Sequence, residues 1–320
     1  MENISAGTYN IYKDISARTN GDIYIGVVGP VRTGKSTFIK RFMDVMVLPE
    51  MTDENDRERA TDELPQSAQG KTIMTTEPKF VPKEAAHIKL ADDLEVKVRL
   101  IDCVGFMVEG ATGHQEEGSE RMVKTPWFDY EIPFTQAAEI GTQKVIREHS
   151  NIGIVITTDG SITELPRESY IPAEEKTVGQ LKKLGKPFIV LLNTQKPYSA
   201  ESQKLSEELA QKYGVTVLPV NCEQLRKDDI YRILESILYE FPIERVEFYL
   251  PKWVEMLDNA HKIKENVIDN ARKILDQFTF ARDARNVTLT PEGEYIKRMK
   301  LDKMELSRGR VQIILSLIHI

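Results

Sequence analysis

Apolar and polar positions change period repeatedly along this chain. Asp22-Ile-Tyr-Ile-Gly-Val-Val28 is a short apolar run, which predicts a buried parallel strand. In Ser36–Val47, Phe38, Ile39, Phe42, Met43, Val45 and Met46 recur at helical spacing and predict a helix with an apolar face. The runs Ala86–Leu90 and Leu94–Ile101 flank the acidic turn Ala91-Asp92-Asp93 and predict a strand pair. In the second run Val96, Val98 and Leu100 alternate with Lys97 and Arg99. Thr135–His149 reads as a helix and Ile152–Thr157 as a buried strand, followed by Thr158-Asp159-Gly160. Ala173–Leu184 reads as a helix stopped by Gly185, with Pro187 beyond. Then follow a strand at Phe188–Leu192, an amphipathic helix at Ser199–Tyr213 ended by Gly214, a strand at Val215–Val220 and a closing helix at Lys227–Tyr239. Such alternation predicts an α/β fold: a mostly parallel sheet with helices on both faces, and ligands at the carboxyl ends of the strands.

Less regular segments surround this frame. Residues 1–20 are polar with scattered Ile and Tyr, and read either as an arm packed beside the first domain or as disorder. Thr52–Ala60, rich in acidic and basic residues, reads as a helical turn or a mobile loop. Thr125-Pro-Trp-Phe-Asp-Tyr-Glu-Ile-Pro-Phe134 reads as an aromatic loop that either packs on its own domain or docks a neighbouring subunit. Phe241-Pro242 marks a boundary, which divides the chain into an arm (1–20), a nucleotidase domain (21–241) and the start of a second, partial α/β domain (242–320). In that domain Trp253, Met256, Leu257, Ala260, Ile263, Val267, Ile268, Ala271, Ile274 and Leu275 predict one long helix over Pro251–Phe278, with His261 on its surface or in its packing. The apolar end Ile314–Ile320 suggests that the domain is incomplete or that its last residues, Ser316–Ile320, are foreign to it.

Composition narrows the function classes. Across 320 residues, a net charge of −7 argues against broad nucleic-acid binding. Cys103 and Cys222 share no metal-ligand spacing and read as reduced, buried thiols of a cytosolic protein. No run of 18 apolar residues occurs and no signal peptide opens the chain, so no membrane span is expected.

The chemistry concentrates after the first strand. Gly29-Pro30-Val31-Arg32-Thr33-Gly34-Lys35-Ser36, followed by Thr37, fits G-x-x-x-x-G-K-[ST]. The glycines let backbone N–H groups wrap a phosphate chain, Lys35 is expected to reach the β- and γ-phosphates, and the Ser36 hydroxyl to ligate Mg²⁺. The positive end of the following helix adds to the site. At the end of the later strand, Ile101-Asp102-Cys103-Val104-Gly105 is a D-x-x-G pattern. Asp102 is expected to hold Mg²⁺ and the Gly105 N–H to touch the γ-phosphate. Thr75 or Thr76, in the loop between, would complete the Mg²⁺ shell. Phe106 stands where many such enzymes carry a water-orienting glutamine, so turnover is slow or borrows another group. His114, Gln115, Glu116 and Glu117 are candidates. Asn193-Thr194-Gln195-Lys196-Pro197 lies where guanine nucleotidases carry N-K-x-D. Asn193 is kept for the nucleotide, but Lys196 replaces the base-reading carboxylate. Guanine donors would then lie unpaired, a cost of about 1–3 kcal/mol, which favours ATP.

These motifs together resemble the stage IV sporulation protein A family of endospore-forming bacteria. The resemblance runs from Tyr9-Asn-Ile-Tyr-Lys-Asp-Ile15 through the phosphate loop, Met74-Thr-Thr-Glu-Pro78, Ile101–Phe106, Thr125-Pro126-Trp127 and Asn193–Pro197 to about Arg308. It implies an ATPase derived from the translation-factor-like GTPase class, acting with ATP and Mg²⁺. Lys35 is then the Walker A lysine, Asp102 the Walker B-like acid, and Thr75 and Thr76 the sensor threonines. The resemblance further implies slow hydrolysis that drives self-assembly into a static layer under the spore coat, in the mother-cell cytoplasm at the outer forespore surface. Implied partners are further copies of the chain, a small amphipathic membrane-bound sporulation peptide, other coat morphogenetic proteins and, indirectly, the forespore membrane; no nucleic acid is expected. Family members are longer, and their additional C-terminal region carries most of those contacts. Two other readings compete. A cytosolic GTPase switch would need the missing base-reading carboxylate. A small-molecule kinase would need an arginine-rich lid.

Overall fold

The computed structural model describes residues 3–65, 77–91, 94–111, 115–116, 119–285 and 287–318. The described elements are α1 (Asn3–Thr19), β1 (Asp22–Val28), α2 (Lys35–Phe42), α3 (Glu54–Asp62), β2 (Lys79–Ala91), β3 (Leu94–Asp102), β4 (Gln115–Glu116), β5 (Ser119–Glu120), β6 (Met122–Thr125) and β7 (Phe128–Pro133). They continue with α4 (Phe134–Lys144), β8 (Ile152–Thr158), α5 (Arg167–Leu184), β9 (Phe188–Asn193), α6 (Ala200–Tyr213), β10 (Val217–Val220) and α7 (Lys227–Tyr239). The last are β11 (Arg245–Tyr249), α8 (Lys252–Glu255), α9 (Lys262–Gln277), α10 (Ala281–Arg285), β12 (Ile296–Glu305) and β13 (Arg310–Leu317). They divide into two units. The first holds the residues up to Tyr12 with Thr19–Ile237, and the second holds Lys13–Arg18 with the residues from Leu238 on.

In the first unit six strands form one sheet in the order β10-β9-β8-β1-β3-β2. All neighbours run parallel except β2 against β3. Every residue of β8 and β9 is buried, as strands covered on both faces require. On one face Val28, Ile101, Val155, Val190 and Leu192 pack with Val178 and Leu181 of α5 and Leu209 and Tyr213 of α6. The buried stripes Phe38, Ile39 and Phe42 on α2 and Ile230, Ile233, Leu234 and Ile237 on α7 complete the core. Register levels the carboxyl ends, because Val27 pairs with Asp102, Val28 with Val155 and Thr158 with Asn193. The loops after β1, β3, β8 and β9 therefore open side by side, where parallel α/β sheets bind ligands.

Several boundaries differ from the sequence reading, each for a local reason. The first segment, open between arm and disorder, is helical, and Tyr12, fully buried, donates its hydroxyl to Met46 O at 3.3 Å. The acidic-basic segment forms α3, capped by the Asp53 carboxylate, which accepts from Asp56 N at 3.0 Å. The aromatic stretch is a hairpin, β6 against β7, rather than a loop. The helix α5 begins six residues before Ala173 and keeps Pro172 in its second turn, where the ring gives up one backbone hydrogen bond without ending the helix.

In the second unit a three-stranded sheet runs in the order β11-β13-β12, with β13 parallel to β11 and antiparallel to β12. Ile296, Met299, Val311, Ile313 and Leu315 pack with Val267 and Ile274 of α9. Part of the apolar end pairs in this sheet, Ser316 with Arg298 and Leu317 with Ile296. The single long helix over Pro251–Phe278 is not formed. Asp258 ends the first piece with a turn, its carboxylate accepting from Ala260 N at 2.9 Å and its carbonyl from His261 N at 3.0 Å. His261 then starts α9 as its cap, Nδ1 accepting from Ile263 N at 3.3 Å. Trp253 and Met256, cut off from the stripe, are largely exposed.

Candidate nucleotide site

The loop Gly29–Ser36 leaves β1 and turns directly into α2. Gly34 caps that helix with φ 91°, and Phe38 N donates to Gly34 O at 2.9 Å. The N–H groups of the first turn, at Lys35, Ser36 and Thr37, have no helical acceptors and are free to bind an anion. The loop is held from below by the D-x-x-G segment. Val31 N donates to Phe106 O at 3.0 Å, and Phe106 N to Gly29 O at 3.2 Å. Gly105, at φ 96°, lies so close that a Cβ there would be 2.2 Å from Gly29 O and 2.8 Å from Lys35 Nζ. Glycine is required at that position for conformation and for space alike. Arg32 also takes a left-handed backbone, φ 62°, at the exposed crest of the loop. Within the loop Thr33 Oγ1 donates to Pro30 O at 3.0 Å, and Lys35 Nζ to the same carbonyl at 2.6 Å.

Lys35 and Asp102 are both buried. Burial lowers the Lys35 pKa from its ordinary value, and nearby Cys103 and Asp102 partly offset this. Burial raises the Asp102 pKa, while the Ser36 hydrogen bond and the Lys35 charge work against the rise. Asp102 Oδ2 accepts from Ser36 Oγ at 2.6 Å, and Oδ1, although buried, has no hydrogen-bond partner. A carboxylate with one oxygen on the loop serine and the other unsatisfied, beside a cluster of free N–H groups, fits a cation bound together with phosphates. Among the described residues no group of three or more acidic, His or Cys side chains could hold a metal unaided. Burial also lifts the neighbouring Cys103 thiol to about 11.

The other predicted residues are placed as follows. Asn193 is buried, its Nδ2 donating to Thr33 O at 3.0 Å and its Oδ1 accepting from Cys222 N at 3.0 Å. Its amide therefore joins the phosphate loop to the loop after β10. Thr75, Thr76, His114 and Glu117 lie outside the described residues, and Gln115 and Glu116 form the short strand β4. Phe106 is buried in a cluster with Val31, Val108, Ala111, Tyr170 and Ala173, and the Lys176 ammonium lies 5.0 Å from its ring centroid. The sequence reading saw Phe106 only as a missing glutamine and did not see its pairing with the loop.

It also assigned no role to Asp159, Ser161 or Arg167, which border a cleft of about 460 Å³ with Thr194, Gln195 and Lys196. The one signal was the polar Thr158-Asp159-Gly160 at the end of a buried strand. Behind the cleft Glu174 is completely buried. Its Oε2 pairs with Arg167 Nη1 at 2.6 Å, and its Oε1 accepts from Arg167 Nη2 at 2.7 Å and from Tyr213 Oη at 2.6 Å.

Comparison with known proteins agrees with this geometry. Residues 6–242 match the model of the ATPase domain of stage IV sporulation protein A, and residues 243–319 match that of its middle domain. The chain is 48% identical to stage IV sporulation protein A of Bacillus anthracis over 305 residues. It is 49% identical to the proteins of that name from Bacillus subtilis (strain 168) and Clostridioides difficile (strain 630), also over 305 residues. Each match covers 95% of this chain and 62% of the relative's length. The phosphate loop, the Asp102–Gly105 segment and the β9 loop all fall inside the first match, and on that ground the chain belongs to the stage IV sporulation protein A family.

Proposed function

We propose that this chain binds ATP with Mg²⁺ at the carboxyl ends of β1, β3 and β9, and hydrolyses it slowly to ADP and phosphate. The observation that carries the reading is the Ser36–Asp102 pair, with its second carboxylate oxygen unsatisfied at the mouth of the phosphate loop. Ser36 and Asp102, joined by Thr75 or Thr76, would hold Mg²⁺. When bound, the ion offsets charge that develops on the phosphate oxygens. The chain's own groups do the rest. The first N–H groups of α2 and the Gly105 N–H bind phosphate oxygens, and Lys35 leaves the Pro30 carbonyl to pair with them. Phe106, buried and without a polar atom, cannot orient water, which accounts for slow turnover. Lys196, at the position of the guanine-reading carboxylate, favours ATP over GTP and disfavours the GTPase-switch reading.

By family membership, hydrolysis serves self-assembly of the chain into the basement layer of the spore coat, in the mother-cell cytoplasm at the forespore surface. A small amphipathic membrane-bound peptide, other coat morphogenetic proteins and, through them, the forespore membrane are its proposed partners. No helix of the described residues is long and apolar enough to cross a membrane. The test is turnover of ATP and GTP at equal concentration by the chain and by Lys35→Ala, followed by sedimentation with ATP. The expected result is ATP turnover above GTP turnover, lost in the variant, with ATP-dependent pelleting. GTP-selective turnover would reinstate the switch reading. Turnover without pelleting would separate catalysis from assembly.

A further inference from the structure

The loop after β9 has three successive backbone N–H groups on defined acceptors. Thr194 N donates to Val220 O at 2.9 Å, Gln195 N to Ser161 Oγ at 3.0 Å, and Lys196 N to Thr194 Oγ1 at 3.2 Å. The two hydroxyls in that set converge on one carboxylate. Thr194 Oγ1 donates to Asp159 Oδ2 at 2.6 Å, and Ser161 Oγ to Asp159 Oδ1 at 2.6 Å. Ser161 N also donates to Oδ1 at 2.9 Å, and Ser202 Oγ lies 3.3 Å from the Thr194 hydroxyl. The bonds to Ser161 are a local turn, but the bond to Thr194 crosses 35 positions of sequence, from the end of β8 to the end of β9. Thr194 is almost wholly buried and adjoins Asn193, whose amide holds the phosphate loop. One carboxylate thus fixes the segment that lies where the base of the nucleotide must go, on the neighbour of the residue that anchors its phosphates.

We infer that Asp159 is a positioning residue for the base-side loop Thr194–Lys196: it sets the apparent affinity for ATP through the nucleobase and leaves phosphate binding and the chemical step alone. The inference rests on the nucleotide assignment above. Both hydrogen bonds are charge-assisted, so their loss should weaken the response to the base by about tenfold.

The experiment compares the parent chain with Asp159→Ala and Asp159→Asn in steady-state ATP turnover, in competitive inhibition by inorganic tripolyphosphate and in thermal midpoint. Tripolyphosphate carries the phosphates and no base. For Asp159→Ala, KM for ATP should rise about tenfold while kcat stays within about twofold and the tripolyphosphate inhibition constant does not move. Asp159→Asn, which keeps one acceptor, should fall between the two. An unchanged KM, or a tripolyphosphate constant that rises in step with KM, overturns the inference, because a general loss of structure would weaken both ligands. If Asp159→Ala does not fold, Ser161→Ala decides. It removes the acceptor of Gln195 N together with the hydroxyl that donates to Asp159 Oδ1, and keeps the Asp159–Thr194 bond; KM should rise about threefold with the tripolyphosphate constant unmoved, and an unmoved KM there overturns the inference equally. A parent chain with no ATP turnover overturns the nucleotide assignment and this inference with it, so the two failures are told apart.

Discussion

The substitution Asp102→Asn separates the two demands on the site. In the free protein Asp102 is a buried carboxylate with one oxygen unpaired, and burial opposes its charge. Asparagine keeps an oxygen that can accept from Ser36 Oγ, and it removes the charge. The exchange replaces a charge-assisted hydrogen bond by a neutral one, a loss of about 1 kcal/mol, and relieves a desolvation cost of about 1–3 kcal/mol. Stability of the free protein should therefore stay level or rise. The bound state should suffer, because the carboxylate is the one acidic group that the described site offers a cation. Loss of a charge-assisted contact of about 1.5–3 kcal/mol weakens Mg²⁺–ATP by roughly 10- to 150-fold. At an ATP concentration about 100 times the parent dissociation constant, ligand stabilises the parent by about 2.7 kcal/mol. A 100-fold weaker variant keeps only about 0.4 kcal/mol under the same conditions. Thermal melting with and without Mg²⁺–ATP reads both quantities, at about 2–4 °C per kcal/mol for a unit of this size. The parent should gain about 5–10 °C and the variant about 1 °C, from equal or higher starting points. A ligand-free midpoint lowered by more than about 4 °C, or an undiminished ATP shift, would refute the reasoning.

Two further substitutions probe what lies around the site. Phe106→Gln should not accelerate turnover, because the side chain at this position points into the Val31–Tyr170 cluster. It should instead destabilise the loop by about 1–3 kcal/mol, and a rise in kcat would show that position 106 reaches the attacking water. Glu174→Ala leaves Arg167 and Tyr213 without their shared acceptor. It should cost about 3–5 kcal/mol in chemical denaturation, and a loss below about 1 kcal/mol would mean that the buried pair is compensated elsewhere.

The candidate site residues could be picked out because each sits in a short motif whose spacing is set by local backbone. Gly29–Ser36 is one turn between a strand and a helix. Asp102 and Gly105 are separated by a single bend. The sheet was legible for a similar reason: strands buried on both faces are short apolar runs, and the runs alternate with helical periods. Where reading failed, two local signals competed. The helix read as starting at Ala173 starts at Arg167 and carries Pro172 in its second turn. The stripe over Pro251–Phe278 looked like one helix, and the Asp258 side chain, bonding its own backbone, ended the first piece within a few residues.

By itself the sequence determined which groups are candidates for phosphate and a cation, and that they follow β1 and β3, because each motif is made of neighbours in the chain. Only the tertiary structure decided what holds them in place. The Phe106 bridge to Gly29 and Val31, the Asn193 amide between Thr33 and Cys222, and the Asp159 carboxylate under Thr194 all join segments tens of residues apart. Such pairings follow from strand order and register. The order β9-β8-β1-β3 brings four loops to one edge of the sheet, and no local period in the chain encodes which loop will meet which.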